Sequence, residues 1–247
     1  MNLMCDITSN CNLRCPFCTN NWSKVRGNRN MTERTFGNVL MLAESPAVGD
    51  DGLFISCAFE PLIHPAFGTL LEMIPGQLKT KAFFSTNLAA PLSDSLIDSI
   101  VRANIDHVNV SFESFRPETY EFFRRGADYR VFIDNLKRLS DRIRATESAP
   151  QLYFITMLFQ QNLDEIEDMV ALCFGQYGAG SYEVRTPFRW SVSQINPAFL
   201  VDSYLEPEEA SRLKEKLSDD RIAWRIDQEE ADYYPNMRIT SDGKAEL

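Results

Sequence analysis

The sequence predicts an α/β protein: parallel strands alternating with helices and curled into a partial (β/α)6 TIM-like barrel, followed by a short C-terminal β-hairpin extension. Three observations predict it. Short apolar or β-branched runs alternate with segments of helical spacing, three cysteines crowd directly behind the first such run, and the pattern changes near residue 218. A chain of 247 residues, 44% of them hydrophobic, can bury the core that such a barrel needs.

The strand candidates are Leu3–Thr8, Leu53–Ser56, Lys81–Ser85, His107–Phe112, Gln151–Leu158 and Ser181–Arg185, each too short for a free-standing helix. Between them the apolar spacing turns helical. Phe36, Val39, Leu40 and Ala43 share one face behind Thr32, a good N-cap residue. Leu96, Ile97, Ile100 and Val101 follow Ser93-Asp94 in the same way. Phe132, Leu136, Leu139 and Ile143 form a third face, and Ile166, Val170 and Cys173 another. A further helix opens with Glu206-Pro207-Glu208-Glu209 and closes near Lys214 and Lys216, which suits its dipole. Helices between successive strands imply a parallel sheet, with the chemistry in the loops at the carboxyl ends of the strands. The cysteines occupy the first of those loops. Past residue 218, Arg221–Ile226 and Asn236–Thr240 read as two more short strands, and Ser241-Asp242-Gly243 as a tight turn. Residues 1–218 are therefore expected to form the barrel and 219–247 an extension.

Composition excludes several functions. The net charge of −10 comes without any Lys/Arg-rich run, so the footprint that neutralises nucleic-acid phosphates is absent and nucleic acid is not an expected partner. No apolar stretch approaches a membrane span and no signal-peptide pattern opens the chain, so no membrane partner and a cytoplasmic location are expected. In that setting six cysteines do not read as a disulfide framework. Cys5 and Cys173 fall on apolar strand and helix positions and read as core, and His64 and His107 as structural.

Cys11, Cys15 and Cys18 are different. Thiolates four and three residues apart can curl around one soft metal centre. Three ligands leave one iron of a four-iron cluster open to an outside ligand. A zinc site and three ordinary thiols are the alternatives. Structural zinc takes four ligands, usually at two-residue spacings, and no fourth Cys or His lies nearby. The spacing favours iron–sulfur.

The run Cys11-Asn12-Leu13-Arg14-Cys15-Pro16-Phe17-Cys18 resembles the defining CxxxCxxC loop of the radical S-adenosylmethionine (SAM) superfamily. The resemblance continues along the chain. Ala58-Phe59-Glu60-Pro61 stands where the family has Gly-Gly-Glu-Pro after its second strand. Ser85-Thr86-Asn87 is similar to the Thr-Asn-Gly that ends its third. Ser111-Phe112-Glu113, then Pro117-Glu118-Thr119-Tyr120 and Phe123-Arg124, resemble a stretch typical of the branch with a C-terminal SPASM or twitch extension. Two departures stand out: Ala58-Phe59 replaces the glycine pair, and Leu88 stands where the third-strand motif usually has Gly.

This resemblance implies a [4Fe–4S] cluster on Cys11, Cys15 and Cys18, with SAM on the fourth iron and a one-electron reductant such as flavodoxin or ferredoxin. It implies that the cofactor is bound by Phe17, Ala58, Phe59, Glu60, Asn87, Ser111, Arg124 and Arg185. Glu60 would take the ammonium of SAM; the alternative is a solvated loop carboxylate. Ser111 and Arg124 would hold its carboxylate or ribose, against a plain strand-end serine and a surface arginine beside Arg125. Val108 and Val110 point one way along their strand and Asn109 and Ser111 the other, which gives Ser111 a polar face. Phe17 would cover the cluster and offer its backbone to adenine, or be a core aromatic; Arg185 would line the adenine side.

The implied activity is reductive cleavage of SAM to a 5′-deoxyadenosyl radical. That radical would abstract hydrogen from a peptide or small metabolite, in an oxidation, cross-link or epimerisation. Alternatives are a non-catalytic metal-binding protein on a decayed barrel and a radical SAM methylase. Cys57 could return a hydrogen atom to a substrate radical, or be a small residue filling the place of a missing Gly. Tyr233-Tyr234-Pro235 through Gly243-Lys244 resembles the hairpin that opens a SPASM or twitch extension, but Asp232 stands where that extension places a cysteine. One cluster only is expected, in a truncated chain or in a relative that lost the extension's metal. No leader-peptide binding domain is recognisable ahead of the barrel, so peptide recognition is expected to use the barrel or a partner.

Overall fold

Parallel neighbours cannot be joined by a tight turn, so each strand must return over the sheet through a crossover, usually a helix. The protein is described by a computed structural model that covers residues 2–18, 29–46, 48, 52–56, 58–78, 81–187, 195–226 and 236–246. Six strands, β1 (Asn2–Cys5), β2 (Leu53–Ile55), β3 (Ala82–Thr86), β4 (His107–Ser111), β5 (Gln151–Met157) and β6 (Ser181–Arg185), pair in chain order, all parallel. The crossovers carry α1 (Glu33–Ala43), α2 (Phe67–Glu72), α3 (Asp94–Arg102), the pair α4 (Pro117–Phe123) and α5 (Tyr129–Arg144), and α6 (Ile166–Gly175). Beyond β6 come α7 (Pro197–Ser203) and α8 (Pro207–Lys216).

The two strands expected after residue 218 do not pair with each other. β7 (Ile222–Arg225) extends the sheet beside β6, while β8 (Asn236–Ile239) lies parallel to β1 on the opposite edge. The hairpin is made by β8 with β9 (Ala245–Glu246), through a turn in which Gly243 takes φ +81°, a conformation that costs glycine little. The strand order β7-β6-β5-β4-β3-β2-β1-β8-β9 is linear, so the barrel stays open.

Alternation along the strands explains the curl. Cys5, Ile55, Phe84, Val110, Phe154 and Val184 point outward and are buried in one core with Phe36, Leu70, Ile100, Leu136 and Met169 of the helices. Each such side chain contributes about 1.5–3 kcal/mol when fully buried, so this layer dominates the fold's stability. Helix starts match local chemistry: Thr32 accepts from the Thr35 N–H and Ser93 from the Leu96 N–H. Cys173 is fully buried in the same core, as is Cys5.

The inward positions are half-buried and line the lumen. Phe54, Phe83, His107 and Tyr153 stack in sequence across β2 to β5, with centroids 4.8, 4.5 and 4.2 Å apart. Among the described residues no helix is long and apolar enough to cross a membrane.

Candidate active site

The loop behind β1 holds the three cysteines. Its backbone is pinned by the Arg14 N–H to the Arg125 carbonyl at 2.8 Å and by the Cys18 N–H to the Cys15 carbonyl at 3.1 Å. The Arg14 guanidinium caps the carbonyls of Cys11 and Leu13 at 2.9 and 2.8 Å. Cys15 is buried against Leu13 and Ala89, with Cys11 and Cys18 packed beside them.

A buried thiolate is costly unless donors face its sulfur. Here they do. The Leu13 N–H donates to Cys11 Sγ at 3.5 Å, Asn87 Nδ2 to the same sulfur at 3.7 Å, and Arg124 Nη1 to Cys15 Sγ at 3.7 Å. In the metal-free chain burial pushes the Cys11 thiol up to about 11, with the Glu60 charge adding to it. Burial likewise pushes Cys15 up to about 12, against the pull of Arg124. Iron would displace those protons on binding. Among the described residues no three Cys, His, Asp or Glu side chains converge to hold a single ion. A cubane makes no such demand, because each thiolate binds a different iron, so the donor set fits a cluster better than a lone metal.

Glu60 follows β2 and caps the short 3-10 turn Pro61–Ile63. Only 2% exposed, it is a post between two strand ends rather than a solvated loop residue. Its Oε1 accepts from Thr86 Oγ1 at 2.6 Å and from the Leu62 N–H at 3.1 Å, and its Oε2 from the Asn87 N–H at 2.7 Å. A carboxylate offers about four acceptor sites, so one remains for a further donor. Burial raises Glu60 from 4.5 to about 7 despite these bonds. A group whose folded pKa is raised binds its proton more tightly in the folded state. The metal-free chain should therefore lose stability as pH rises from 4.5 through about 7, by about 3 kcal/mol from this group. Urea unfolding at pH 5 and pH 8 checks it: the difference should shrink in Glu60→Gln, and an equal difference in both proteins would refute the assignment.

Leu88 explains itself in the structure. Its φ is +54°, the left-handed region that glycine occupies freely, yet its side chain is fully buried. The backbone at Leu88 thus takes a conformation that a glycine there would adopt without strain. The strain costs about 1–2 kcal/mol and is offset by a buried leucine whose loss costs about 2.7–5 kcal/mol. Glycine at this position should relieve the strain that alanine retains. We therefore expect Leu88→Gly to be less destabilising than Leu88→Ala, the reverse of the usual order, as read from urea midpoints; the usual order would contradict the reading.

The remaining candidates are distributed around the cysteine loop and the sheet's upper rim. Asn87 both touches Cys11 Sγ and donates to Asn12 Oδ1 at 3.0 Å. Ser111 is half-buried at the end of β4, opposite Ile155. Phe17 packs its ring against Phe123, Phe159 and Phe199, with the Arg124 guanidinium 5.3 Å from the ring centroid. Arg124, 9% exposed, sits between Cys15 and Glu113, whereas Arg125 is exposed. The Ala58 N–H donates to Asp6 Oδ1 at 3.1 Å, and Phe59 is half-buried. Arg185, at the end of β6, pairs with Glu183, which also holds Arg225 of β7 at 2.9 Å. Cys57 and the stretch containing Asp232, Tyr233, Tyr234 and Pro235 lie outside the described residues.

Sequence reasoning assigned no role to Asp6 or Glu113. Asp6 is buried at the end of β1, joined to Arg238 of β8, so it ties the extension to the second-strand loop. Glu113 is buried under Arg124. Their place as acids directly behind apolar strand runs was the available signal, but their partners lie 232 and 11 residues away.

An open parallel barrel with N–H donors aimed at two cysteine sulfurs on its first loop fits a protein that would hold an iron–sulfur cluster there. More specifically, the chain belongs to the Radical SAM superfamily, whose family model matches residues 6–173. Members of that family use a [4Fe–4S] cluster and S-adenosylmethionine. Among its relatives, a probable GTP 3′,8-cyclase of Methanothermobacter marburgensis is 27% identical over 182 residues, covering 70% of this chain and 53% of that protein. A probable GTP 3′,8-cyclase of Methanocaldococcus jannaschii is 25% identical over 171 residues, covering 69% and 54%. The chain thus spans about half the length of these curated relatives. In fold it is similar to Streptococcus suis SuiB bound to the precursor peptide SuiA, with a TM-score of 0.76 at 16% identity over 99% of this chain and 58% of SuiB. It is also similar to anSMEcpe with bound AdoMet and a Kp18Cys peptide, with a TM-score of 0.62 at 14% identity over 91% and 63%.

Proposed function

We propose that this chain is the catalytic barrel of a radical SAM enzyme acting on a peptide or small metabolite by oxidation, cross-linking or epimerisation. The observation that carries the reading is the pairing of the half-buried Cys11 and buried Cys15 sulfurs with N–H donors, beside a buried carboxylate that keeps one acceptor site. When bound, the reduced cluster and SAM together supply one-electron cleavage of the sulfonium, giving methionine and a hydrogen-abstracting 5′-deoxyadenosyl radical. Cys11, Cys15 and Cys18 hold three irons. Glu60 takes the ammonium of SAM in its remaining site, a charge-assisted bond that offsets the cost of burying the carboxylate's charge. Ser111 and the N–H groups of Arg124 not spent on Glu113 and Cys15 reach the carboxylate or ribose. Asn87 orients the loop at Cys11, the Ala58-Phe59 backbone borders the methionyl end, and Phe17 and Arg185 line the adenine side.

Two comparisons support the substrate classes. SuiB is described with a precursor peptide, which favours a peptide; the GTP 3′,8-cyclase names favour a small metabolite. A flavodoxin- or ferredoxin-like protein supplies the electron, in the cytoplasm. The rival reading is a barrel that holds metal without chemistry. Anaerobic reconstitution followed by dithionite and SAM separates them: 5′-deoxyadenosine should accumulate, and its absence with the cluster intact would overturn the enzyme. Cys5 and Cys173 are sealed in the core, so the iron content should correspond to one cubane per chain. Iron well above that would contradict the assignment.

A further inference from the structure

Glu113 is a buried acid that the site as read leaves without work. It follows β4, is fully buried, and grips Arg124 with both oxygens, Oε2 on Nε and Oε1 on Nη2 at 2.6 Å. Its carbonyl is fixed in turn by Asn162 Nδ2 at 2.8 Å, and that amide also holds the Met157 carbonyl at 3.0 Å. The fork leaves the Arg124 guanidinium one orientation, with Nη1 on Cys15 Sγ at 3.7 Å and its plane near the Phe17 ring. A carboxylate, a guanidinium and a cysteine sulfur therefore lie in line inside a low-dielectric pocket.

We propose that Glu113 is a positioning residue for the cluster's redox behaviour: by clamping Arg124 against Cys15 it sets the reduction potential of the iron–sulfur centre. The proposal rests on Cys15 being a cluster ligand. Cluster potentials follow the net charge nearby and the hydrogen bonds to the sulfurs. One added electron makes the cluster more negative, so a guanidinium on the Cys15 thiolate favours the reduced form. The Glu113 charge opposes that pull from one residue further out, while its geometry holds the guanidinium in place. A lone arginine would swing; a bidentate carboxylate fixes it.

The test is the cluster's midpoint potential, measured by dye-mediated titration of reconstituted protein without SAM. Glu113→Gln removes the opposing charge but keeps one acceptor for Arg124, and the potential should rise. Arg124→Met removes the cation and its sulfur contact, and the potential should fall. Each shift should be at least tenfold in the reduction equilibrium, which is 59 mV for one electron. Glu113→Asp keeps the charge but draws the fork back by one methylene, so Arg124 should loosen from Cys15 and the potential should fall toward that of Arg124→Met; a rise would contradict the clamp. Potentials unchanged in both variants, or moved in the same direction, would overturn the proposal. Failure of both to assemble a cluster would mark the pair as a folding element and overturn it equally. Wild-type protein without a cluster would instead sink the assignment of Cys15 itself.

Discussion

Replacing Cys11, Cys15 and Cys18 together by Ala is expected to abolish both iron–sulfide absorption and 5′-deoxyadenosine formation. The loss should be complete, because no other described cysteine can take their place: Cys5 and Cys173 are buried beneath the sheet and helices. The fold should survive. The three cysteines belong to a small satellite cluster with Leu13 and Ala89, apart from the main core that joins the sheet to its helices. Removing three small sulfurs there should cost on the order of 1–3 kcal/mol, so circular dichroism of the variant should match the metal-free wild type. A cluster signal or SAM cleavage persisting in the triple variant would show that the ligands lie elsewhere.

Glu60→Ala is expected to weaken SAM binding by about 100-fold in cluster-loaded protein. A hydrogen bond to a charged group contributes about 1.5–3 kcal/mol, and the upper end converts to roughly that factor. The variant also strands the Thr86 hydroxyl and the N–H groups of Asn87 and Leu62 that the carboxylate accepts. Each stranded donor costs about 1–3 kcal/mol if no water reaches it. Lost affinity and lost stability are therefore separable only with a milder change. Glu60→Gln keeps the volume and part of the bonding but removes the charge, and it should retain its cluster while losing most of the SAM affinity. Equilibrium dialysis against labelled SAM checks this. Affinity within twofold of wild type in Glu60→Gln would exclude Glu60 as the partner of the ammonium.

Much of the barrel was legible because its signals are local. Phe36, Val39, Leu40 and Ala43 repeat at helical spacing behind Thr32, and the structure buries those four on α1. Ser181–Arg185 alternates, and the strand has those bounds. Three short helices went unread. α2 spans six residues, and α4 and α7 seven each, too short for an apolar period to declare itself. The placement of β8 beside β1 was invisible for another reason. It is a pairing across more than 200 residues, fixed by backbone hydrogen bonds and by Arg238 on Asp6, and neither leaves a periodic trace. The same holds in the site. The cysteine spacing could be read from eight consecutive residues. The Glu113–Arg124–Cys15 line could not, because α4 alone decides that Arg124 turns back onto the strand end. Leu88 reads in sequence as a departure from its motif, and only its positive φ shows why a glycine would suit the position.

A cubane with one iron open to SAM has a direct spectroscopic signature: the low-temperature electron paramagnetic resonance spectrum of the reduced, reconstituted protein, recorded without and with SAM. The wild type should give a four-iron cluster signal whose g-values shift when SAM is added, because the amino acid end of SAM would join the open iron. A signal that SAM leaves unchanged, at concentrations that saturate binding, would contradict the open iron.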